Sequence, residues 1–529
     1  MTEMARDTLE KPHNPKEIQK VVSFQFNVPT IDLKHIEVQP QALALIPLSL
    51  ALEYSVLPIT IENGTLTVAT ESPDDLQLID TLAVLTNKKI KAAMPVGGNL
   101  RAVINHHYKT TNLAEGTLKD MIASIDKTTV TEEVTDLAEA ASDAPIVRAV
   151  EWMLSEAVKE RASDIHIVPE EHALKIRYRI DGVLRDAATL PISIHSALLT
   201  RIKVMADMNI AERRRPLDGS FTDTLNGKEI DFRVATIGTS WGESAVLRVL
   251  DKSFNLFELE QIGMPEYLRG TYEAALASPF GMIIMSGPTG SGKTTTLYGS
   301  LLKLNIKEFN IMSIEDPIEY KFEGVRQIQV NLAAGITFAS GLRASMRMDP
   351  DVILVGEIRD RETAQTAITA ALTGHLVLSS IHANDAVGAL IRLVDLGVEP
   401  FLVTSGVIAT ASQRLVRRIC PHCAELKQAP PGDIEAYKRV TGEEKTEFYY
   451  GAGCNQCSST GYHGRIGVFE LLPVTDSIKS LVTKQAGVTE LKAQAQKDGM
   501  LPMSYHGMSL VKEGVTTPSE VTRNVFTIG

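Results

Sequence analysis

Apolar and polar positions divide the chain into patterned regions separated by polar stretches. From Val28 to Tyr108, short apolar runs alternate with polar ones and predict a small α/β module. Within it, Ala42 to Leu52 predicts a helix broken at Pro47. Leu57 to Ile61 and Leu66 to Thr70 predict two strands joined at Asn63-Gly64, a strong hairpin pair. Pro73-Asp74-Asp75 predicts the start of a helix reaching Leu85. Met1 to Phe24 is polar, and residues 1–27 are expected to be disordered. Thr110 to Ala144 is rich in Thr, Ala, Asp and Glu and predicts a linker between the module at 28–109 and the next.

A second α/β module is expected over 145–255. Ile146 to Lys159 has helical periodicity, with Pro145 just inside its start. Ile165 to Val168 and Leu174 to Ile180 alternate as strands do, with a hairpin turn at Asp181-Gly182. A helix from Ser196 to Met205 follows, then strands around Asn226-Gly227 and the loop Gly238 to Gly242. Between Gly281 and Val416 strands and helices alternate. The strands predicted are Ile283 to Ser286, Ile311 to Glu315, Gln327 to Val330, Val352 to Gly356 and Leu376 to Ile381. Such alternation predicts a mainly parallel, twisted sheet with helices on its faces. The tail is expected to divide into a nucleotide-binding domain over 256–418, a tetracysteine module over 419–459 and a region over 460–529 that is helical after a strand-like return, Gly461 to Glu470.

Composition narrows the class. The 529 residues suggest three to four domains at about 150 residues each. A hydrophobic fraction of 44% and a charged fraction of 22% are ordinary for a soluble globular protein. With 53 basic and 65 acidic residues the formal net charge is −12, which argues against nucleic acid as the main partner. The tightest basic cluster is Arg213-Arg214-Arg215. No secretory signal is visible. The stretch most like a membrane span, Gln41 to Ile61, contains Pro47, Glu53 and Pro58 and does not suit a spanning helix. A cytosolic chain is expected, with any membrane role exercised through docking to another protein.

The chemistry concentrates at Gly287-Pro288-Thr289-Gly290-Ser291-Gly292-Lys293-Thr294, a phosphate-binding loop without mismatch. The apolar run Met282 to Ser286 predicts a buried strand before it, and the residues up to Leu304 a helix after it. Backbone N–H groups of such a loop point at phosphate oxygens, and the helix N-terminus adds positive potential. Lys293 supplies charge for the outer phosphates of ATP, and Thr294 a hydroxyl for Mg²⁺. Val352 to Glu357 is an apolar strand ending in an acid, which places Glu357 to orient an attacking water, directly or through Mg²⁺. Glu315 ends another strand, with two readings open: a contact to Mg²⁺ or water, or a cap on the next element. His382 follows the strand Leu376 to Ile381, as a phosphate sensor or as a buried structural histidine. His166 reads as structural. Arg177 and Arg179 are either solvated strand residues or phosphate partners. The adjacent pair His106-His107 reads as ordinary surface, because neighbouring side chains diverge on a helix.

Four cysteines complete the inventory. Cys420-Pro421-His422-Cys423 and Cys454-Asn455-Gln456-Cys457 are two C-x-x-C pairs that can close a tetrahedral Zn²⁺ site. The long spacing between them predicts a small loop-rich insertion. Redox disulfides and a nucleic-acid-binding knuckle are the alternatives. His422 reads as a bystander.

Together these residues resemble the traffic ATPases of type II secretion and type IV pilus assembly. The carriers are Gly287–Thr294, Ser313-Ile314-Glu315-Asp316-Pro317, Asp349-Pro350-Asp351 with Val355-Gly356-Glu357-Ile358-Arg359-Asp360, and Gly374-His375 through His382. Upstream, Ala162 to Ile167, Arg177 to Gly182 and Ala211-Glu212-Arg213-Arg214 match the family's second N-terminal domain. The resemblance implies a RecA-like ATPase domain preceded by smaller α/β domains, assembled as a homo-hexamer. It implies that Arg233 and Arg248 reach the phosphates from the clamping domain. Arg343, Arg347 and Arg359 match arginines near the nucleotide or the subunit interface. It further implies work on an inner-membrane platform protein and a second partner's cytoplasmic domain, from the cytoplasmic face of the inner membrane. The tetracysteine insert matches secretion and assembly members and is absent from retraction motors. One departure is Pro216-Leu217-Asp218-Gly219-Ser220, where the family often has Gln and Arg in place of Leu217 and Ser220. A nucleic-acid motor and an ATP-gated adaptor without turnover are the competing functions.

Overall fold

In the computed structural model the described residues are 29–33, 36, 38–43, 45–46, 48–62, 64–96, 100–101, 103–104, 144–251, 258–304 and 307–525. The expected disordered start, His106-His107 and the linker up to residue 143 lie outside them. Backbone contacts group the chain into two compact units, Met1–Asp251 with Cys454–Ser459, and Lys252–Gly453 with Thr460–Gly529.

The first unit holds two sheets. The smaller has strands β1 (Thr30–Asp32), β2 (Val56–Glu62), β3 (Thr65–Thr70) and β4 (Lys89–Val96) in the order β1-β4-β3-β2. Gly64, at φ 76°, stands in the β2–β3 turn, where a left-handed residue is required. The helix Leu76–Thr86 starts where the acidic pair predicts, with Asp75 accepting from the Leu78 amide at 3.1 Å. Gln41 to Ile61 forms the end of one short helix, a second at Leu48–Glu53 and most of β2. No helix among the described residues is long and apolar enough to cross a membrane.

The larger sheet has β5 (Ala162–Pro169), β6 (Ala173–Ile180), β7 (Val183–Pro191), β8 (Leu217–Leu225), β9 (Lys228–Thr239) and β10 (Gly242–Asp251). All neighbours in the order β7-β6-β5-β10-β9-β8 are antiparallel. Strict alternation on β6 buries Leu174, Ile176, Tyr178 and Ile180. These pack against the helix Ala144–Lys159, whose buried Ile146, Val150, Met153, Leu154 and Ala157 follow the helical period, and against His195–Met205. The opposite face carries the polar side chains of the same strands.

The second unit is built on β11 (Gly281–Ser286), β12 (Ile311–Glu315), β13 (Val325–Gln329), β14 (Val352–Val355), β15 (Leu376–Ile381), β16 (Val407–Ile419) and β19 (Tyr462–Pro473). Their order is β13-β12-β14-β15-β11-β16-β19, parallel except for the last pair. The apolar runs of β11, β12, β14 and β15 are buried along their whole length, as strands covered on both faces must be. Met282, Ile284, Ile353 and Val355 face one cluster with the helices Arg361–Leu372 and Ala386–Asp395. Ile283, Met285, Val352 and Leu354 face the other, with Glu266–Leu276 and Lys293–Lys303.

The strand-like stretch Gly461 to Glu470 falls within Tyr462–Pro473, a strand of the main sheet paired along β16. One expectation changes. The segment between the cysteine pairs is not loop-rich. It folds as β17 (Ala424–Gln428), the helix Pro431–Thr441 and β18 (Glu447–Gly451), with β17 and β18 antiparallel. Tyr437 and Phe448, ring centroids 5.1 Å apart, are buried there with Met508, Val511 and Val521. An insertion that long gains enough apolar contact to hold regular structure.

Candidate functional site

The phosphate loop begins where β11 ends. Gly287 and Gly292 have φ of 147° and 88°, and a side chain is excluded at both. A Cβ on Gly287 would lie 2.5 Å from the Gln413 carbonyl oxygen, and one on Gly292 2.8 Å from Gln413 Nε2. Gln413, buried on β16, therefore fills the space behind the loop. Its Oε1 accepts from Thr296 Oγ1 at 2.6 Å, in the first turn of the helix Lys293–Lys303. Lys293 Nζ donates to the carbonyls of Gly287 at 2.9 Å and Pro288 at 3.0 Å. Burial pushes this ammonium below its usual value; the Glu357 carboxylate opposes the shift and Arg414 adds to it. Ser291 Oγ is buried without a hydrogen-bond partner, and Thr294 is exposed at the helix N-terminus.

Strand order brings further predicted residues to the same edge of the sheet. Glu357 follows β14 and His382 follows β15, and these are successive neighbours of β11. Crossed bonds hold the strand ends together. Ile358 N donates to Ser380 O at 2.9 Å, Ser380 Oγ to Gly356 O at 2.7 Å, and Gly356 N to Ile314 O at 2.8 Å. Glu357 is largely buried, ion-paired with Arg359, and its Oε2 lies 3.6 Å from His382 Nε2. His382 is half exposed, so the reading of a buried structural histidine is set aside.

Glu315 is corrected towards structure. It is buried, and Oε1 accepts from Ser313 Oγ at 2.5 Å and Gln327 Nε2 at 3.1 Å. Tyr298 OH donates to Oε2. Burial and this carboxylate hold the Tyr298 phenol protonated. With both oxygens engaged by protein donors, Glu315 anchors the tip of β12.

The arginines fall in two groups. In the first unit Arg233 and Arg248 are cross-strand partners on β9 and β10. On the same face Arg248 Nε lies 3.5 Å from Asp164 Oδ1, and Arg179 Nε 3.5 Å from Asp164 Oδ2. Arg177 pairs with Asp186 at 2.7 Å. His166, 3.5 Å from an Arg179 nitrogen, is held below its usual value by burial and then by Arg179. In the second unit Arg343, on the helix Phe338–Ser345, pairs with Glu362 at 2.7 Å, and Arg347 is exposed beyond that helix. No hydrogen bond among the described residues joins either of them to the loop. Sequence reasoning missed Gln413 and also Arg414, whose Nη2 donates to Asn384 O at 3.2 Å. Their signal was only their place on an apolar strand.

The four cysteine sulfurs lie within 4.8 Å of one another, and three of the four residues are buried. Cys454 Sγ and Cys457 Sγ are 3.8 Å apart. That is far beyond a disulfide of about 2.05 Å and matches the edge of a tetrahedron with metal–sulfur bonds of about 2.3 Å.

The model of the family described as Type II/IV secretion system protein matches residues 139–523, and that of the MshEN domain matches 26–112. The type IV pilus assembly ATPase PilB of Myxococcus xanthus is 39% identical over 513 residues, covering 95% of this chain and 90% of that protein. The type II secretion system protein E of Dickeya dadantii is 41% identical over 495 residues, covering 92% and 97%. The type II secretion system ATPase E of Vibrio cholerae is 44% identical over 390 residues, covering 73% and 77%. Among solved structures, the Legionella pneumophila ATPase DotB shares the fold, with a TM-score of 0.52 at 19% identity over 71% of this chain and 95% of that one. The chain belongs to the type II/IV secretion system protein family.

Proposed function

We propose that this chain hydrolyses ATP as a hexameric motor that drives type II secretion or type IV pilus assembly through an inner-membrane platform protein, from the cytoplasmic face. The observation that carries the reading is the convergence of Lys293, Glu357 and His382 at the ends of three adjacent parallel strands. The loop amides and Lys293 cradle the phosphates of ATP, and the orphaned Ser291 hydroxyl faces the same loop. Thr294 and Glu357 are the residues that would hold Mg²⁺, which neutralises phosphate charge when bound. Glu357 orients the attacking water, and His382 beside it senses the outer phosphate. Arg359, paired with Glu357, and the exposed Arg343 and Arg347 supply positive charge there or at a subunit boundary. Arg233 and Arg248 supply it from the first unit.

The cysteine cluster fits Zn²⁺: four sulfur donors at tetrahedral spacing, on a segment with its own small core. Cys420, Cys423, Cys454 and Cys457 would hold it as a structural ion.

ATP hydrolysis by the purified full-length protein tests this. Lys293→Ala is expected to reduce turnover to background and to abolish nucleotide binding. Unchanged turnover would remove the site. Stimulation by DNA and none by the platform protein's cytoplasmic domain would replace the secretion reading with a nucleic-acid motor.

A further inference from the structure

The stretch Gly461 to Glu470 ends in a carboxylate that the site described above does not use. Glu470 lies on β19, opposite Ser412 of β16, and is 5% exposed. An isolated carboxylate so deeply buried is costly unless donors surround it. Here Oε1 accepts from the Ala386 amide at 2.7 Å and Oε2 from the Met503 amide at 2.9 Å. Both are the first residues of ten-residue helices, Ala386–Asp395 and Met503–Lys512. Two helix N-termini, each with unsatisfied amides and a positive dipole end, thus meet on one carboxylate.

The first helix needs no second cap for its own sake. Asp385 already caps it, accepting from the Gly388 amide at 2.6 Å. What Glu470 adds is a fixed point at the end of the loop His382-Ala383-Asn384-Asp385. Other bonds pin the same segment. Ser286 Oγ, at the end of β11, donates to Asp385 O at 3.2 Å, and Thr410 Oγ1 to Ala386 O at 2.8 Å. Arg414 donates to Asn384 O at 3.2 Å, and Lys492 Nζ lies 2.7 Å from Asp385 Oδ2. The charged groups facing Glu470 are Arg414, Asp385 and Lys492. Burial raises its carboxyl above the usual range, and the two amide bonds work against that.

We infer that Glu470 is a positioning residue for ATP hydrolysis, holding the His382 loop in register with the phosphate loop through the Ala386 amide. The inference rests on the proposed role of His382. Glu470→Gln keeps the volume but turns one acceptor into a donor that faces an N–H, so one helix start must move. In the full-length protein, kcat for ATP is expected to fall at least about tenfold while KM changes less than about threefold. His382→Ala should lower kcat too, and Glu470→Gln should add little in that background. If His382→Ala leaves kcat unchanged, the site reading fails. If it lowers kcat and Glu470→Gln still exerts its full factor on top, the positioning role fails while the site reading stands. A KM effect equal to the kcat effect, or a wild-type kcat, also overturns it. Should Glu470→Gln not fold, Glu470→Asp carries the same cycle, since its shorter arm keeps the charge but cannot span both amides.

Discussion

His506 shows how one buried side chain ties stability to pH. It is 2% exposed, stacked near Phe469 at 6.2 Å between centroids, and its Nδ1 accepts from the Phe469 amide at 2.9 Å. Burial lowers its pKa from 6.5 to about 4, and protonating Nδ1 would also break that bond. The unfolded chain therefore takes up this proton at a higher pH than the folded one. The stabilisation is fully present above pH 6.5 and is lost as pH falls towards 4. It amounts to roughly 3 kcal/mol at most. The melting temperature of the wild type minus that of His506→Gln should shrink across this window; a pH-independent difference would contradict the account. At the same scale, Gln413 and Glu470 explain why residues far from the nucleotide motifs matter. One fills the space behind Gly287 and Gly292, and the other ends at Ala386. Neither was legible, because a polar residue on an apolar strand gives no hint of which backbone group it will meet.

Among the elements, strands that end in a chemically distinctive residue were the most legible. β11, β12, β14 and β15 read as apolar runs because both faces are covered, and each runs into the loop that carries a motif. β19 reads as a strand-like return although its start, Tyr462-His463-Gly464-Arg465, is polar and glycine-bearing; Gly467 to Leu472 is continuously buried. Glu315 looked like a candidate ligand because strand-end acids often are; only the partners Ser313, Tyr298 and Gln327 reveal an anchor. The cysteine spacing predicted the donors but not the folded β17–helix–β18 segment between them, whose aromatic core depends on contacts with Met508, Val511 and Val521. Cys423→Ser, or prolonged chelation, should lower zinc content and hydrogen-exchange protection between Cys420 and Cys457. Retention of equimolar zinc by the variant would exclude the site.

At the scale of the whole molecule, the candidate residues gather on two sheets. On the six-stranded sheet of the first unit Arg179 and Arg248 lie against Asp164 and Arg233 stands opposite Arg248, while the seven-stranded sheet of the second aligns the phosphate loop, Glu357 and His382. Alternation along β6 made the half-buried arginine face readable from the chain alone, since every second residue is buried. The central claim is that Glu357 acts on water at a nucleotide held by the phosphate loop. Its most direct test is ATP binding and turnover by full-length Glu357→Gln, compared with the wild type. The account predicts ATP binding retained and turnover reduced by about 100-fold or more. Turnover within about twofold of the wild type would contradict it.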